Sequence, residues 1–245
     1  MKDNFSKQAA GYAKYRPVYP QELYDFIVSN VPCKQAAWDC GTGNGQAAKE
    51  LAKMFDKVYA TDISQKQIEN APQRVNIFYS VQAAEQTRFA ENSFDLVTVA
   101  QALHWFRFDD FYKELVRVAK PNAIFAAWTY SLLHISNEID SLIKDHHFTT
   151  LRSYWDAERK HVDEEYQNIP FPFTKINVPV FSIEYEWTTG ELEGYLNTWS
   201  GLQKFIYIQQ YNPIDELMIR IKPFWKQKKM KIRFPVHLLM GKIEK

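Results

Sequence analysis

Five short apolar runs, separated by stretches with helical spacing, constrain the fold of this 245-residue chain more than any other feature. They lie at residues 36–40, 58–61, 77–81, 96–100 and 123–129. Each is bounded by turn residues and is mostly apolar, as strands covered on both faces are. Helices fit between them. Residues 46–55 carry Ala47, Ala48, Leu51, Ala52 and Phe55 on one helical face. Ser64 and Gln67 read as a capping box opening a second helix, which Pro72 closes. Asp109 and Asp110 suit the N-terminus of a third, which Pro121 stops after Lys120. Parallel strands joined by helices require right-handed crossovers, so an α/β, Rossmann-like doubly wound sheet follows.

The rhythm changes after Thr129. Residues 131–172 read as mainly helical, strand character returns at 175–188 and 231–243, and a helical, aromatic region lies between. No linker, repeat or low-complexity tract interrupts the chain. The expectation is one domain over 1–245: a cofactor-binding core at 1–130, then a helical, aromatic cap and the last strands at 131–245.

The turn after the first run reads Asp39-Cys40-Gly41-Thr42-Gly43-Asn44-Gly45-Gln46. Glycines there allow a tight turn and close approach to a ligand, and a following helix N-terminus offers free amides. A dinucleotide fingerprint needs a third glycine where Gln46 stands. The GxGxG spacing, with an acid two residues ahead, suits a ligand without phosphates. Asp62 closes the second strand 23 residues after Asp39, where an acid can accept hydrogen bonds from ribose hydroxyls. A helix-capping aspartate ahead of Ser64 is the structural alternative. Taken together, the two acids and the turn favour a nucleoside cofactor.

DCGTGNGQ, ATDIS and SFDLVTVAQALHWF resemble the successive motifs of class I S-adenosylmethionine-dependent methyltransferases. The likeness is to the small-molecule branch, with its methyltransferase type 11 domain, that includes the trans-aconitate methyltransferase-like proteins. The opening FSKQAAGYAKYRPVYP is similar to that branch too. The resemblance covers roughly residues 5–130. It implies a seven-stranded, mostly parallel sheet with an antiparallel last strand, S-adenosylmethionine as cofactor, and a small-molecule acceptor.

By position, the resemblance puts Asp39, Gly41, Thr42, Gly43, Asn44, Gly45 and Gln46 at the cofactor, with the glycine turn near its methionine part. Asp62 goes to the ribose hydroxyls and Ile63 to adenine. Gln101 and Ala102 line the channel where the methyl group is presented, and Tyr12, Tyr15 and Arg16 fold over the cofactor. Arg16 pairs either with a carboxylate of cofactor or substrate or in a surface ion pair. Relatives often carry an aspartate after the third strand for the adenine amino group. Here Ala83 stands in that place, leaving Glu85, Gln86 or a backbone group as substitutes, with Ala84 and Glu85 expected at the cofactor.

His104 and Trp105 admit two readings. His104 acts as a base or orients the acceptor, since its ordinary pKa lies near neutrality; or both residues line the pocket. Transfer from a sulfonium is an in-line displacement in which positioning supplies much of the rate, and a carboxylate acceptor needs no base. Trp128, Tyr130, His134, Trp155, Trp187, Trp199 and Tyr207 are the cap's candidates for an apolar acceptor pocket, each with core packing as its alternative.

Other function classes find little support. A net charge of +1 gives no reason to expect a nucleic-acid partner. Residues 222–233 (KPFWKQKKMKIR) read as a solvated helix end. The chain also lacks the Asn/Asp-Pro-Pro-Tyr tetrad that adenine-amino methyltransferases share. Cys33 and Cys40 are too few for a disulfide scaffold or zinc site, and His146-His147, without companion ligands, reads as a surface pair with no metal. No apolar run resembles a signal peptide or a membrane span, so a soluble, cytoplasmic protein is expected. A nicotinamide-dependent oxidoreductase and a non-catalytic cofactor- or partner-binding protein are the two rivals from other classes.

Overall fold

The computed structural model describes residues 15–245, so Tyr12 lies outside the described residues. Helix α1 (Gln21–Ser29) precedes an alternating series. The series runs β1 (Ala36–Cys40), α2 (Gln46–Leu51), β2 (Lys57–Asp62), α3 (Gln65–Glu69), β3 (Ile77–Val81), β4 (Phe94–Ala100), α4 (Phe108–Val118) and β5 (Ala119–Tyr130). The remaining elements are α5 (Asn137–Asp145), the single turn α6 (Lys160–Asp163), β6 (Thr174–Lys175), β7 (Phe181–Trp187), α7 (Thr189–Leu196), α8 (Ser200–Gln209), α9 (Ile214–Ile221) and β8 (Met230–Lys242).

The strands form one sheet in the order β3-β2-β1-β4-β5-β8-β6, with β7 also on β8. From β3 to β5 every pairing is parallel, and β8 runs antiparallel to β5, β6 and β7. Because β6 and β7 pair with successive stretches of the same edge of β8, they share one position, and the sheet is seven strands wide. The interruption between them contains Pro179, which has no N–H to give a ladder. Burial follows the pairing. β4, enclosed by parallel neighbours, is buried at six consecutive positions, whereas antiparallel β8 alternates between buried and partly exposed residues.

One core joins α1, α2 and the later helices through Leu23, Leu51, Trp128, Trp187, Trp199 and Leu202. The other packs α4 and the segment around α6 on the opposite face through Trp38, Val97, Phe111, Phe125, Val162 and Tyr166. The chain leaves the sheet twice after β5, at 131–173 and at 188–229, and the two excursions pack together. Trp155 lies 5.8 Å from Trp199, and Gln209 Nε2 donates to Tyr154 Oη at 2.8 Å.

Several local expectations need correction. Helix α2 ends at Leu51, yet the apolar face it began continues through the following turn to Phe55, which is buried. Ser64 occupies the N-cap of α3 without a side-chain cap bond; the Asp62 carboxylate instead accepts its N–H at 2.8 Å. That helix stops at Glu69, ahead of Pro72, where Asn70 Nδ2 donates back to the Lys66 carbonyl. Helix α4 stops at Val118, before Lys120, because Ala119 already pairs with Phe94. His146 and His147 are buried, since a π turn extending α5 faces them inward. The basic run 222–233 is no helix end beyond its first turn, and Lys231 and Arg233 project from the exposed face of β8.

Candidate active site

Strand β1 has β2 on one side and β4 on the other, so the chain reverses its direction of travel across the sheet there. A crevice opens at the carboxyl ends of strands at such a point. The glycine turn between β1 and α2 forms its floor. Gly41, Gly43 and Gly45 have φ of +67°, +55° and +79°, a region that side chains with a Cβ disfavour. A Cβ on Gly41 would lie 2.7 Å from Ala102 Cβ, and one on Gly45 would lie 2.5 Å from Tyr79 Oη. A Cβ on Gly43 would meet nothing within 4 Å, because this residue borders open space.

Asp62, at the end of β2, ties the turn down: Oδ2 accepts the Gly43 N–H at 2.9 Å and Oδ1 accepts that of Ser64 at 2.8 Å. The Thr42 N–H goes to the Thr61 carbonyl at 2.9 Å and that of Gly45 to the Thr42 carbonyl at 3.0 Å. Three amides of the turn are therefore spent on the chain itself, beside a carboxylate, which makes it a poor cradle for the pyrophosphate of a dinucleotide.

Asp39 lies beneath the floor, fully buried, accepting from Thr42 Oγ1 at 2.5 Å and Thr98 Oγ1 at 2.9 Å. Burial pushes its carboxyl up to about 6 against the opposing pull of those hydrogen bonds. It braces the turn across β1 and β4 and does not reach the cleft.

The cleft, about 1100 Å³ with its open mouth, brings together most of the residues expected to bind the cofactor. Arg16, Gly41, Thr42, Gly43, Asn44, Gln46, Asp62, Ile63, Ala84, Gln101, Ala102 and Trp105 line it. Asp39, Gly45 and Glu85 do not; the Glu85 carboxylate accepts the backbone N–H of Arg107 at 3.1 Å. Tyr15 packs instead against Gly194 of α7. The sequence reading missed Pro17, Tyr19, Ala47, Ser64, Gln67, Gln82, Ala100 and Phe106 as lining residues. Gln82 lies two residues before the expected Ala84, and strand alternation after β3 could have pointed to it.

A second cavity, about 470 Å³ with its mouth, adjoins the first and shares Arg16, Gln101 and Trp105 with it. His104, Trp155, Asp156, Arg159, Val162 and Ser200 complete its wall. Gln101, at the junction, holds a left-handed φ of +55°, the kind of strain that clusters at functional sites. Its N–H donates to the Trp128 carbonyl at 2.9 Å, and its Oε1 accepts from Thr129 Oγ1. Arg16 Nη1 donates to Tyr130 Oη at 2.7 Å and Nη2 to the Thr198 carbonyl at 3.2 Å. His104 is buried, with Nδ1 2.9 Å from Tyr166 Oη. Burial, reinforced by the charge of Arg159, drives its pKa down to about 3, so its ring is neutral near pH 7.

Of the cap residues singled out, Tyr130 lines the cleft and Trp155 the second cavity. Trp128, Trp187 and Trp199 belong to the core, His134 pairs with Asp140 at 3.0 Å, and Tyr207 is exposed. Among the described residues no group of His, Cys, Asp or Glu could hold a metal, and no helix is long and apolar enough to cross a membrane.

Known proteins match this arrangement. A family model described as a methyltransferase domain matches residues 38–127. A Dictyostelium discoideum protein described as a methyltransferase is 35% identical over 251 residues, spanning 99% of this chain and 95% of the relative. An Aspergillus terreus methyltransferase is 29% identical over 136 residues, 49% of this chain and 41% of its own. A solved structure from Anaeromyxobacter dehalogenans, described as a type II methyltransferase, superposes with a TM-score of 0.87 at 34% identity, covering 94% of this chain and 99% of that one. With a seven-strand Rossmann-like sheet, a glycine turn at its reversal point and relatives along nearly its full length, the chain belongs to the class I S-adenosylmethionine-dependent methyltransferases.

Proposed function

We propose that the enzyme methylates an oxygen of a small carboxylic acid, in keeping with the branch its motifs resemble. The observation that carries this reading is the second cavity, which opens onto the cofactor cleft at Gln101 and presents both Arg16 and Arg159. Residues 1–245 act as one domain in this reading, with the chain beyond 130 supplying most of the acceptor side.

The cleft suits S-adenosylmethionine. Open space at Gly43 leaves room for the methionine part beside Gly41, Thr42, Asn44 and Gln46. A carboxylate offers about four acceptor directions, so Asp62 can hold the turn and also receive the ribose hydroxyls. Ile63 packs on adenine, Gln82 and Ala84 lie near its edge, and Ala102 and Trp105 lead toward the second cavity. The bound cofactor supplies an electrophilic methyl group on a sulfonium.

The chain's own residues do the rest by placement. Gln101 and Trp105 border both spaces, so an acceptor held in the cavity faces the cleft across them. His104 with its pKa near 3 is a poor proton acceptor at pH 7, which favours an oxygen that is already ionised. A carboxylate meets that requirement. Such an oxygen would bring its own lone pair to the methyl group and leave a neutral ester and a neutral thioether, so no residue of the chain would need to move a proton. The guanidinium groups hold the anion without removing anything from it, and orientation supplies the rate. Free Cys33 and Cys40 agree with the reducing, cytoplasmic setting this reading assumes.

Calorimetric titration with S-adenosylmethionine, S-adenosylhomocysteine and NAD, followed by methyl-transfer assays on carboxylic acids, phenols and amines, tests the proposal. Binding of the two adenosyl ligands alone and formation of methyl esters are expected. Transfer only to amines or phenols overturns the acceptor assignment, and binding of NAD alone overturns the whole reading.

A further inference from the structure

Among the side chains of the second cavity, Arg159 has the most specific support. Its guanidinium carbon lies 4.9 Å from the Trp155 ring centre. Its Nε donates to Asp163 Oδ1 at 3.2 Å, one helical turn away. The same oxygen receives Nε2 of His147, a fully buried ring 4.6 Å from Trp155 and 5.3 Å from Trp199. Trp155 is itself anchored, since its Nε1 donates to the His147 carbonyl at 3.1 Å. Burial tends to raise the Asp163 carboxyl, but the His147 hydrogen bond and the Arg159 charge outweigh it and keep the group ionised. His147 is held neutral by its burial, so it donates without competing for the carboxylate as a second cation.

This arrangement fixes a guanidinium by one edge and one face. With Nε engaged and one face on Trp155, the two terminal nitrogens remain as a fork at the cavity wall, the geometry that matches a carboxylate with two parallel hydrogen bonds. Asp156, on the same wall, is committed to Lys204 at 2.6 Å. We infer that Arg159 is the residue that selects an anionic acceptor, and that Asp163 is the positioning residue that aims it. The inference rests on the acceptor reading above and deepens it, because it makes one side chain answerable for charge selection.

The test uses the full chain saturated with S-adenosylhomocysteine, titrated with small carboxylic acids each paired with its isosteric amide. The wild-type protein should prefer the acids, and Arg159→Met should lose that preference by about 10- to 100-fold while binding S-adenosylhomocysteine as before. Arg159→Lys keeps the charge without the fork and should fall between them, which preserves the test if the methionine variant folds poorly. Asp163→Asn should raise the Kd of the acid several-fold in the wild-type background and add nothing to Arg159→Met. A merely structural Asp163 would act equally in both backgrounds and lower the melting temperature in each.

Methyl-ester formation with an acid preference that survives in Arg159→Met overturns the inference and leaves the acceptor reading standing. A wild-type protein that binds acids no better than amides also overturns the inference, while the methyl-transfer products judge the acceptor reading separately.

Discussion

The cofactor cleft and the cavity beside it meet at Gln101, yet they are built by opposite means. The cleft floor is backbone: three glycines at positive φ within five residues, held by an acid at the end of the neighbouring strand. Its geometry comes from chain segments that parallel pairing makes adjacent, so local sequence carries most of it. The cavity is built of side chains that start far apart, from Arg16 through His104 and Arg159 to Ser200. No local rule connects these four. One half of the site is written as a motif and the other as a packing outcome.

The largest effect that could break this comparison is at Asp62. Asp62→Ala removes the acceptor of two backbone amides and, in the proposed cofactor pose, the ribose contact, so S-adenosylhomocysteine affinity should fall about 100-fold, equivalent to about 3 kcal/mol. Calorimetry checks it, and unchanged affinity would show that the acid only caps α3. Next come the glycines. Gly41→Ala should cost roughly 1–3 kcal/mol of stability, since its Cβ would collide with Ala102 as well as hold a positive φ. Gly43→Ala faces backbone strain alone and should cost about 1 kcal/mol. Urea midpoints of the two variants rank them, and equal losses would mean that packing against Ala102 contributes nothing.

Much of the cleft side could be read beforehand, for physical reasons. Strands buried on both faces leave short apolar runs, so β1 and β3 were found to the residue and β2, β4 and β5 within a few. Asp39 was misplaced because its motif position says nothing of depth; Thr98, 59 residues away on β4, completes its burial. His146-His147 lies in a polar stretch that looks solvated, and only the π turn directs both rings inward. Arg159 sits in a run of charges where nothing distinguishes it from Arg152 or Lys160 until Trp155, Asp163 and His147 gather around it. Charge patterns report exposure on average, and they fail where a single charged side chain folds back over an aromatic wall.

Acidification sharpens the comparison, because the buried titratable groups of the two halves respond with opposite sign. His104, beside the cavity, has a folded pKa near 3 against 6.5 when exposed. Between those values the unfolded chain binds a proton that the folded chain does not, so stability falls as pH drops below about 6.5, by roughly 1.4 kcal/mol per unit. His146, lowered to about 4, adds to the same trend. Asp39, under the cleft, is raised from 3.8 to about 6, so the folded state holds the extra proton and acidification across that window stabilises it. His104→Gln should therefore shrink the stability lost between pH 6.5 and pH 5 by about 1–2 kcal/mol. Denaturant titrations at the two pH values measure it, and an unchanged loss would place the acid sensitivity elsewhere.

The smallest expected effect concerns the edge of the cleft where Ala83 replaces the acid that relatives often carry. Glu85 is the nearest carboxylate in sequence, but its Oε1 accepts from the Arg107 backbone and it does not line the cleft. Gln82 does line it, and there its Oε1 accepts the N–H of Arg88 at 2.7 Å while its Nε2 donates to Ser80 Oγ at 2.7 Å. If adenine is met by Gln82, Ala84 and backbone groups, Glu85→Gln should change S-adenosylhomocysteine affinity by less than about 2-fold, because the side chain does not line the cleft and glutamine keeps an oxygen to accept the Arg107 N–H. A loss of about 10-fold would instead mean that Glu85 turns inward when the nucleoside binds, and that the adenine end of the cleft, unlike its glycine floor, is completed by a side chain.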